Sequence, residues 1–454
     1  MLVMAITFGD IHFHLDPHYD NGISHGNTYL GSVAYADDIV IMSGTYQGLQ
    51  TMLDKAGEYS KMWRIKFSQA KSKCLVFGET RQDNVRNMQQ RSFHLGTGIL
   101  EEVQHITHVG VTLCTYNKSN HRTQGVVNKS HGILASLVTA GVKPNGLHPI
   151  VINSIWNKCG ITSLLYGSGL WIGTSKTEWL LLERAQTRKL KTFQALPWRT
   201  HNYIVRSLLK QPTMECMADK NKLFFLRQLV DTGSPKLVGQ IFKERLYHAI
   251  LFNGGGWIQD MVRTLHKYQL HHYLRVYVCG GHFPHKKAWN SIVRDSTTAY
   301  EIEHCIATLT EKGDVPRYVR VMKQRVYQKF HPYYTYSIKN KALWPLHRYV
   351  KLLCVPTGEY NCEMCDDEYN ELAEHIIMSC RSLRAERDAL WDDMVNEMEV
   401  SDFVNLWTRE GSDILYSMMG TRWPPLSSPN CRTIFLAVMA KFYNAAKRNY
   451  RWLK

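Results

Sequence analysis

The sequence contains no run of about 18 consecutive apolar residues, the length at which a helix can cross a bilayer. It also lacks a secretory signal, because the apolar start at residues 1–6 is too short and has no basic leader. We therefore expect no membrane partner and no secretion. The protein is expected in a reducing intracellular compartment, either the nucleus or the cytoplasm.

Acidic residues are scarce relative to basic ones, with 39 Asp and Glu against 55 Lys and Arg among 454 residues. The resulting net charge of +16 predicts a polyanionic partner, most simply a nucleic acid, with a membrane surface as the alternative. A hydrophobic content of 44% is sufficient for buried cores. The length predicts about two to four domains.

The 11 cysteines are odd in number and mostly isolated, which indicates reduced thiols rather than a disulfide framework. One group is regular, because Cys362, Cys365, His375 and Cys380 follow the spacing C-x2-C-x9-H-x4-C. Four such ligands suit tetrahedral Zn²⁺, and since they leave no position for water the zinc is expected to be structural. The alternative is a coincidence of four unrelated core residues.

The segment Tyr35-Ala36-Asp37-Asp38 stands between short apolar stretches at 33–34 and 39–42, which predict the two strands of a hairpin. Adjacent carboxylates at its tip repel each other, and a cation relieves that repulsion. Mg²⁺ binds one or two carboxylates together with substrate phosphates. Asp37 and Asp38 are therefore predicted to hold Mg²⁺ for phosphoryl transfer, the alternative being an ordinary Asp-containing turn.

Three further features follow the hairpin in order. They are a helical pattern over 46–63, the segment Phe67-Ser68-Gln69-Ala70-Lys71-Ser72-Lys73 with a strand at 74–77, and the segment His108-Val109-Gly110-Val111-Thr112-Leu113. Together with Tyr-Ala-Asp-Asp they resemble the reverse transcriptases of non-LTR retrotransposons, with Ser68 where Asn is usual. The Cys-Cys-His-Cys cluster is similar to one that these elements carry near the C-terminus.

The resemblance implies an RNA-directed DNA polymerase that binds RNA and DNA, in which Asp37 and Asp38 are catalytic and Mg²⁺ is a cofactor. It also implies a first catalytic Asp on an apolar strand before the hairpin, and Asp10, Asp16 and Asp20 do not have that setting. We therefore expect a chain that begins within the palm, lacks the N-terminal palm and fingers segment, and is inactive alone.

Three alternatives to a polymerase stay open. The first is a non-catalytic, nucleic-acid-binding zinc protein derived from a retroelement. The second is a degenerate reading frame. The third is a zinc-dependent protein-interaction module, which would bind any nucleic acid weakly.

A helix is predicted over 179–193, with its apolar residues on one side. Arg184, Arg188 and Lys191 fall together on the opposite side, and such a row of cations can follow a phosphate backbone. The alternative is a solvated helix face. Lys71 and Lys73, in the segment after the hairpin, are also predicted to contact nucleic acid.

These patterns predict an α+β fold, with a partial polymerase palm followed by a mostly helical thumb and connector and a small zinc-binding module. The predicted regions are a partial palm at 1–115, a thumb-like region at 116–215, a helical connector at 216–345, a Cys-Cys-His-Cys zinc module at 346–395 and a C-terminal helical region at 396–454.

Overall fold

The computed structural model describes residues 2–7, 23–25, 28–36, 38–79, 81–88, 91–115, 120–143, 146–198, 200–233, 236–252, 256–311, 330–355, 358–409, 411–420 and 426–450. The chain forms two compact units. Unit 1 comprises Met1–Gly125, Leu165–Glu178 and Ala218–Val293, and unit 2 comprises Val126–Leu164, Trp179–Met217 and Arg294–Lys454. The five regions predicted from the sequence stay predictions.

The described residues form an α+β fold in which helices predominate. The strands are β1 Leu2–Thr7, β2 Ile23–His25, β3 Thr28–Leu30, β4 Ser32–Tyr35, β5 Asp38–Ser43, β6 Lys73–Val76, β7 Phe93–Leu95, β8 Gly98–Glu102, β9 His105–His108, β10 Val111–Cys114, β11 Tyr360–Asn361 and β12 Glu368–Tyr369.

The α-helices are α1 Tyr46–Trp63, α2 Arg81–Met88, α3 Asn120–Thr139, α4 Pro149–Ile155, α5 Thr162–Leu164, α6 Lys176–Phe193, α7 Asn202–Leu208, α8 Met214–Thr232, α9 Leu237–Phe252, α10 Trp257–Lys267, α11 His271–Val278, α12 Lys286–Glu311, α13 Pro332–Lys339, α14 Trp344–Tyr349, α15 Leu372–Glu374, α16 Arg384–Glu397, α17 Val400–Trp407, α18 Gly411–Met418 and α19 Pro429–Asn449. None of these helices combines the length and apolarity that crossing a bilayer requires.

Unit 1 contains a six-stranded sheet in the order β4-β5-β1-β6-β8-β7. Neighbouring strands are antiparallel except β6 and β8, which are parallel. The predicted hairpin is confirmed as β4 and β5, with Tyr35 opposite Asp38. The other side of β5 is paired with β1, where Thr7 is opposite Asp38. The sheet therefore places a third strand directly beside the second strand of the hairpin.

Helix α1 covers this sheet because its apolar residues recur at helical spacing. Leu49, Met52, Leu53 and Ala56 are buried in one cluster with Ile39 and Ile41 of β5. The helix begins at Thr45, whose side-chain oxygen accepts a hydrogen bond from the Gly48 backbone at 3.0 Å. The predicted helix at 46–63 is confirmed. Helix α1 and the second strand of the hairpin thus share one hydrophobic core.

The segment around Val109 forms a second hairpin, from β9 and β10. Val109 and Gly110 both have positive φ, 48° and 74°, which a tight turn between right-twisted strands requires. The Tyr166 hydroxyl donates to the Val109 carbonyl at 3.1 Å. The segment 108–113 thus supplies the turn and most of β10 in this hairpin.

Candidate metal centre and basic surface

The first two cysteines of the predicted zinc cluster lie in the turn of the small hairpin formed by β11 and β12. The Cys362 amide donates to the Asp367 carbonyl at 2.9 Å, and the Asp366 amide donates to the Cys362 carbonyl at 2.9 Å. Asp366 has a left-handed φ of 56°. These bonds fold the chain into a tight turn. The sulfur atoms of Cys362 and Cys365 therefore lie close together, within one cluster of ligand atoms.

The third and fourth ligands come from a helical turn. Helix α15 continues into a π-helical turn, His375–Ser379, which ends at Cys380. The His375 amide donates to the Glu371 carbonyl at 3.0 Å, and the Cys380 amide donates to the His375 carbonyl at 2.6 Å. The wide turn brings His375 and Cys380 to the same side of the chain, facing the hairpin cysteines.

The four ligand atoms lie within 4.8 Å of one another, as the sequence spacing predicts. Cys365 Sγ is 3.8 Å from Cys380 Sγ and 3.5 Å from His375 Nε2. Zinc with bonds of about 2.3 Å to sulfur and about 2.0 Å to nitrogen gives tetrahedral edges of about 3.8 Å and 3.5 Å. These two distances match tetrahedral zinc, and this Cys₃His cluster can hold a structural metal ion.

The surroundings of His375 favour metal binding. Its ring stacks on Tyr369 with centroids 4.7 Å apart and planes at 13°, and its Nδ1 is 3.4 Å from Ser379 Oγ. Contacts of this kind orient an imidazole so that its other nitrogen faces the metal. Burial lowers the pKa of His375 below its ordinary value, which favours the neutral ring that binds metals.

An ion pair between Asp367 and Arg381 lies beside Cys365. Asp367 accepts a hydrogen bond from Cys365 Sγ at 3.2 Å and one from Arg381 Nε at 3.1 Å. Burial raises the pKa of the Cys365 thiol to about 12. The thiol therefore carries its proton in the metal-free protein, and binding of a metal ion at this sulfur releases that proton.

Tyr450 also contacts the cluster. Its Oη is 3.0 Å from Cys362 Sγ and 2.8 Å from Cys380 Sγ. Sequence reasoning missed this residue, because it lies 70 positions after Cys380 and no spacing rule links a tyrosine to a distant zinc ligand.

The predicted magnesium site lies at the tip of the first hairpin. Asp38 is the half-buried first residue of β5, and Ala36 in the turn before it has a left-handed φ of 52°. Asp37 lies outside the described residues. Magnesium binding and a catalytic role for these two carboxylates stay predictions.

The predicted basic row lies on α6, and the burial pattern agrees with the two faces expected. Leu182, Leu190 and Phe193 are buried, whereas Arg184 and Arg188 are exposed. Lys191 is half-buried, and its Nζ donates to the Trp198 carbonyl at 2.8 Å. Burial, together with the nearby charge of Arg188, lowers the pKa of Lys191. Arg184 and Arg188 are thus more accessible to a ligand than Lys191 is.

The two lysines after the hairpin differ in the same way. Lys71 is exposed, whereas Lys73 lies on β6 and forms an ion pair with Glu101 of β8. The positive charge of Lys73 is therefore partly balanced within the sheet. Their role in nucleic-acid binding stays a prediction.

A buried ion pair lies next to Arg184 in the sequence. Glu183 is 3.2 Å from Arg206 and also accepts a hydrogen bond from the Met214 amide at the start of α8. Burial raises the pKa of Glu183 to about 7, although Arg206 opposes the shift. Since a charged residue beside a basic row is usually solvated, the sequence contained no sign of this pair. It anchors α6 and leaves Arg184 on the outside.

Two features stand out, a Cys₃His cluster with its four ligand atoms within 4.8 Å of one another and an exposed pair of arginines. No protein-family model matches this chain, and no curated protein is significantly similar to it in sequence.

Proposed function

We propose that this protein is a reverse-transcriptase-related, nucleic-acid-binding protein with a structural zinc ion, and that the chain alone does not polymerise DNA. The proposal combines the Tyr-Ala-Asp-Asp hairpin, the net charge of +16 and the Cys₃His cluster. The observation that carries it is the pairing of β1 with β5, because it identifies the strand that faces Asp38.

Strand β1 has the sequence Leu-Val-Met-Ala-Ile-Thr, which contains no acidic residue, and Thr7 is opposite Asp38. Two-metal phosphoryl transfer requires carboxylates that reach both ions from different strands. Asp37 and Asp38 come from one hairpin tip and provide only one side of such a site. This supports a palm-like sheet that retains part of a polymerase site without its activity.

The polymerase prediction is tested by primer extension on an RNA template with Mg²⁺, using a known reverse transcriptase as a positive control. We expect no incorporation above that of an Asp37→Ala variant, because β1, the strand paired with β5, has no carboxylate opposite Asp38. Robust incorporation that disappears in Asp37→Ala would contradict the proposal and would place a further metal ligand elsewhere in the chain.

The nucleic-acid prediction is tested by filter binding of single-stranded RNA and duplex DNA at rising salt. Each phosphate contact contributes about 0.7 to a single-strand salt slope and about 0.9 to a duplex slope. Arg184→Ala/Arg188→Ala is therefore expected to reduce the slope by about 1.4 on single strands and about 1.8 on duplexes. Affinity at low salt should fall for every sequence alike, because phosphate contacts carry no base information.

A matched control is provided by Lys286 and Lys287, two exposed lysines at the start of α12. Lys286→Ala/Lys287→Ala removes the same charge and should leave the slope unchanged. An equal loss in both variants would indicate binding by net charge alone. Weak binding by the native protein would favour a protein-interaction module, which is the candidate suggested by the exposed Val400, Val404 and Trp407 on α17.

A further inference from the structure

Tyr450 lies immediately after α19 and is buried, with 4% of its surface exposed. Its amide donates to the Ala446 carbonyl at 3.2 Å, which extends the last turn of the helix. Its hydroxyl is within 3.0 Å of two different sulfur atoms, those of Cys362 and Cys380. The phenol therefore joins one cysteine of the hairpin turn to the cysteine that follows the π-helical turn.

With zinc bound, the cluster would carry a net charge that a hydrogen bond from the Tyr450 hydroxyl can stabilise. Three thiolates and a neutral imidazole around Zn²⁺ leave one negative charge, and three of the four ligands are buried. A buried charge is costly unless hydrogen bonds compensate it. A phenolic O–H is a donor that can serve this purpose, and thiolates are its acceptors.

We propose that Tyr450 is a positioning residue for this metal centre, whose single O–H is shared between the Cys362 and Cys380 thiolates and thereby couples metal loading to docking of the C-terminal end of α19. The inference depends on the structural zinc in the proposed function. Tyr450 lies outside the 19-residue segment that supplies the four ligands. Its hydrogen bond would change the electron density on the two sulfur atoms as well as fix their positions.

The rest of α19 provides the rigidity that this contact needs. Phe435, Met439 and Tyr443 of α19 are buried, and the Tyr443 ring stacks on Tyr349 with centroids 3.9 Å apart and planes at 15°. A helix held this firmly can place the Tyr450 hydroxyl against two sulfur atoms with little loss of side-chain entropy. Loss of the metal would remove the hydroxyl's charged acceptors and weaken the attachment of the helix end.

The test is Tyr450→Phe in the full chain, which keeps the ring and removes the O–H. With Co²⁺ in place of zinc, we expect the tetrahedral absorption bands to remain. We expect the sulfur-to-cobalt charge-transfer band to move to lower energy, because a thiolate without its hydrogen bond releases an electron more easily. Competition with a chelator should show an affinity for zinc about 10-fold lower.

Tyr443→Phe is the matched control, because it removes a buried hydroxyl from the same helix, on a ring that contacts Tyr333 and Tyr349 and not a ligand. It should leave the cobalt spectrum and the zinc affinity unchanged, while circular dichroism confirms the fold of both variants. If Tyr450→Phe matches the native protein in both measurements, the inference is wrong although the zinc site stands. If the native protein binds neither Co²⁺ nor zinc, the site itself is wrong and the inference fails with it.

Discussion

Removal of zinc is expected to unfold residues 350–385 while the sheet of unit 1 stays folded. This segment has few regular elements, since it contains the two-residue strands β11 and β12, the three-residue helix α15 and short irregular helical turns. Its buried apolar residues, such as Leu372, Ile376 and Ile377, lie between the ligands in the sequence, so we expect their packing to depend on the turns that the metal ion holds. Structural zinc in small modules contributes about 10–16 kcal/mol of apparent binding free energy, which here becomes folding free energy.

Cys365→Ser is the sharpest test, because serine is a poor zinc ligand of similar size. Metal analysis of the purified native protein should give one zinc per chain, and the variant should have none. Amide hydrogen exchange of the variant, and of the native protein treated with a chelator, should show loss of protection in this segment and at the C-terminal end of α19, while the sheet of unit 1 stays protected. Cys279→Ser, at an exposed cysteine outside the cluster, should retain both metal and protection.

A native protein without zinc would contradict the metal assignment. So would a Cys365→Ser variant with unchanged metal content and unchanged exchange. Either result would mean that the 3.8 Å and 3.5 Å distances around Cys365 reflect ordinary packing of core residues.

The features that were predictable from the sequence depend on residues close together in the chain. The first hairpin and α1 follow from apolar spacing within about twenty residues, and their apolar faces alone determine which side is buried. The zinc cluster was predictable for a similar reason, since a C-x2-C turn brings two sulfurs together without help from the rest of the fold. Its two remaining ligands lie on one turn and the residue after it.

The features that were missed depend on pairing across long stretches of chain. Strand β1 was recognisable as an apolar segment, but its place between β5 and β6 depends on competition among all the strands for partners. The Lys73–Glu101 and Glu183–Arg206 ion pairs were unpredictable because their partners lie more than 20 positions apart and meet only in the folded chain. Tyr450 is the most distant example, because the sulfur atoms that it contacts belong to Cys362 and Cys380, 88 and 70 positions earlier in the chain.

Two helices of unit 2 begin with the same unusual pair, His-Pro. His148 precedes α4, and its Nδ1 accepts a hydrogen bond from the Ile150 amide at 3.2 Å while its Nε2 is 2.8 Å from Ser337 Oγ. His331 precedes α13, and its Nδ1 accepts from the Tyr333 amide at 3.2 Å. Each imidazole thus performs the role of an N-cap through a nitrogen that must carry no proton.

Acid is expected to destabilise unit 2 through these caps. Burial lowers the pKa of His148 to about 4 and that of His331 to about 3, whereas an unfolded histidine has a pKa of about 6.5. Below pH 6.5 the unfolded chain therefore binds protons that the folded chain excludes, and stability falls as the pH falls. Protonation would also put a positive charge at a helix N-terminus, where the dipole opposes it.

Each histidine should contribute a slope that rises towards about 1.4 kcal/mol per pH unit below pH 6.5, and the pair about 3 kcal/mol between pH 6.5 and pH 5. Denaturant unfolding of the full chain across this range measures the slope. The double variant His148→Asn/His331→Asn keeps an oxygen that can cap each helix but does not titrate. The free energy of unfolding should therefore change less with pH, even if stability at pH 7 is lower. His94→Asn, at an exposed histidine of β7, should leave the slope unchanged. A double variant as acid-sensitive as the native protein would show that neither imidazole must be neutral for its helix to begin where it does.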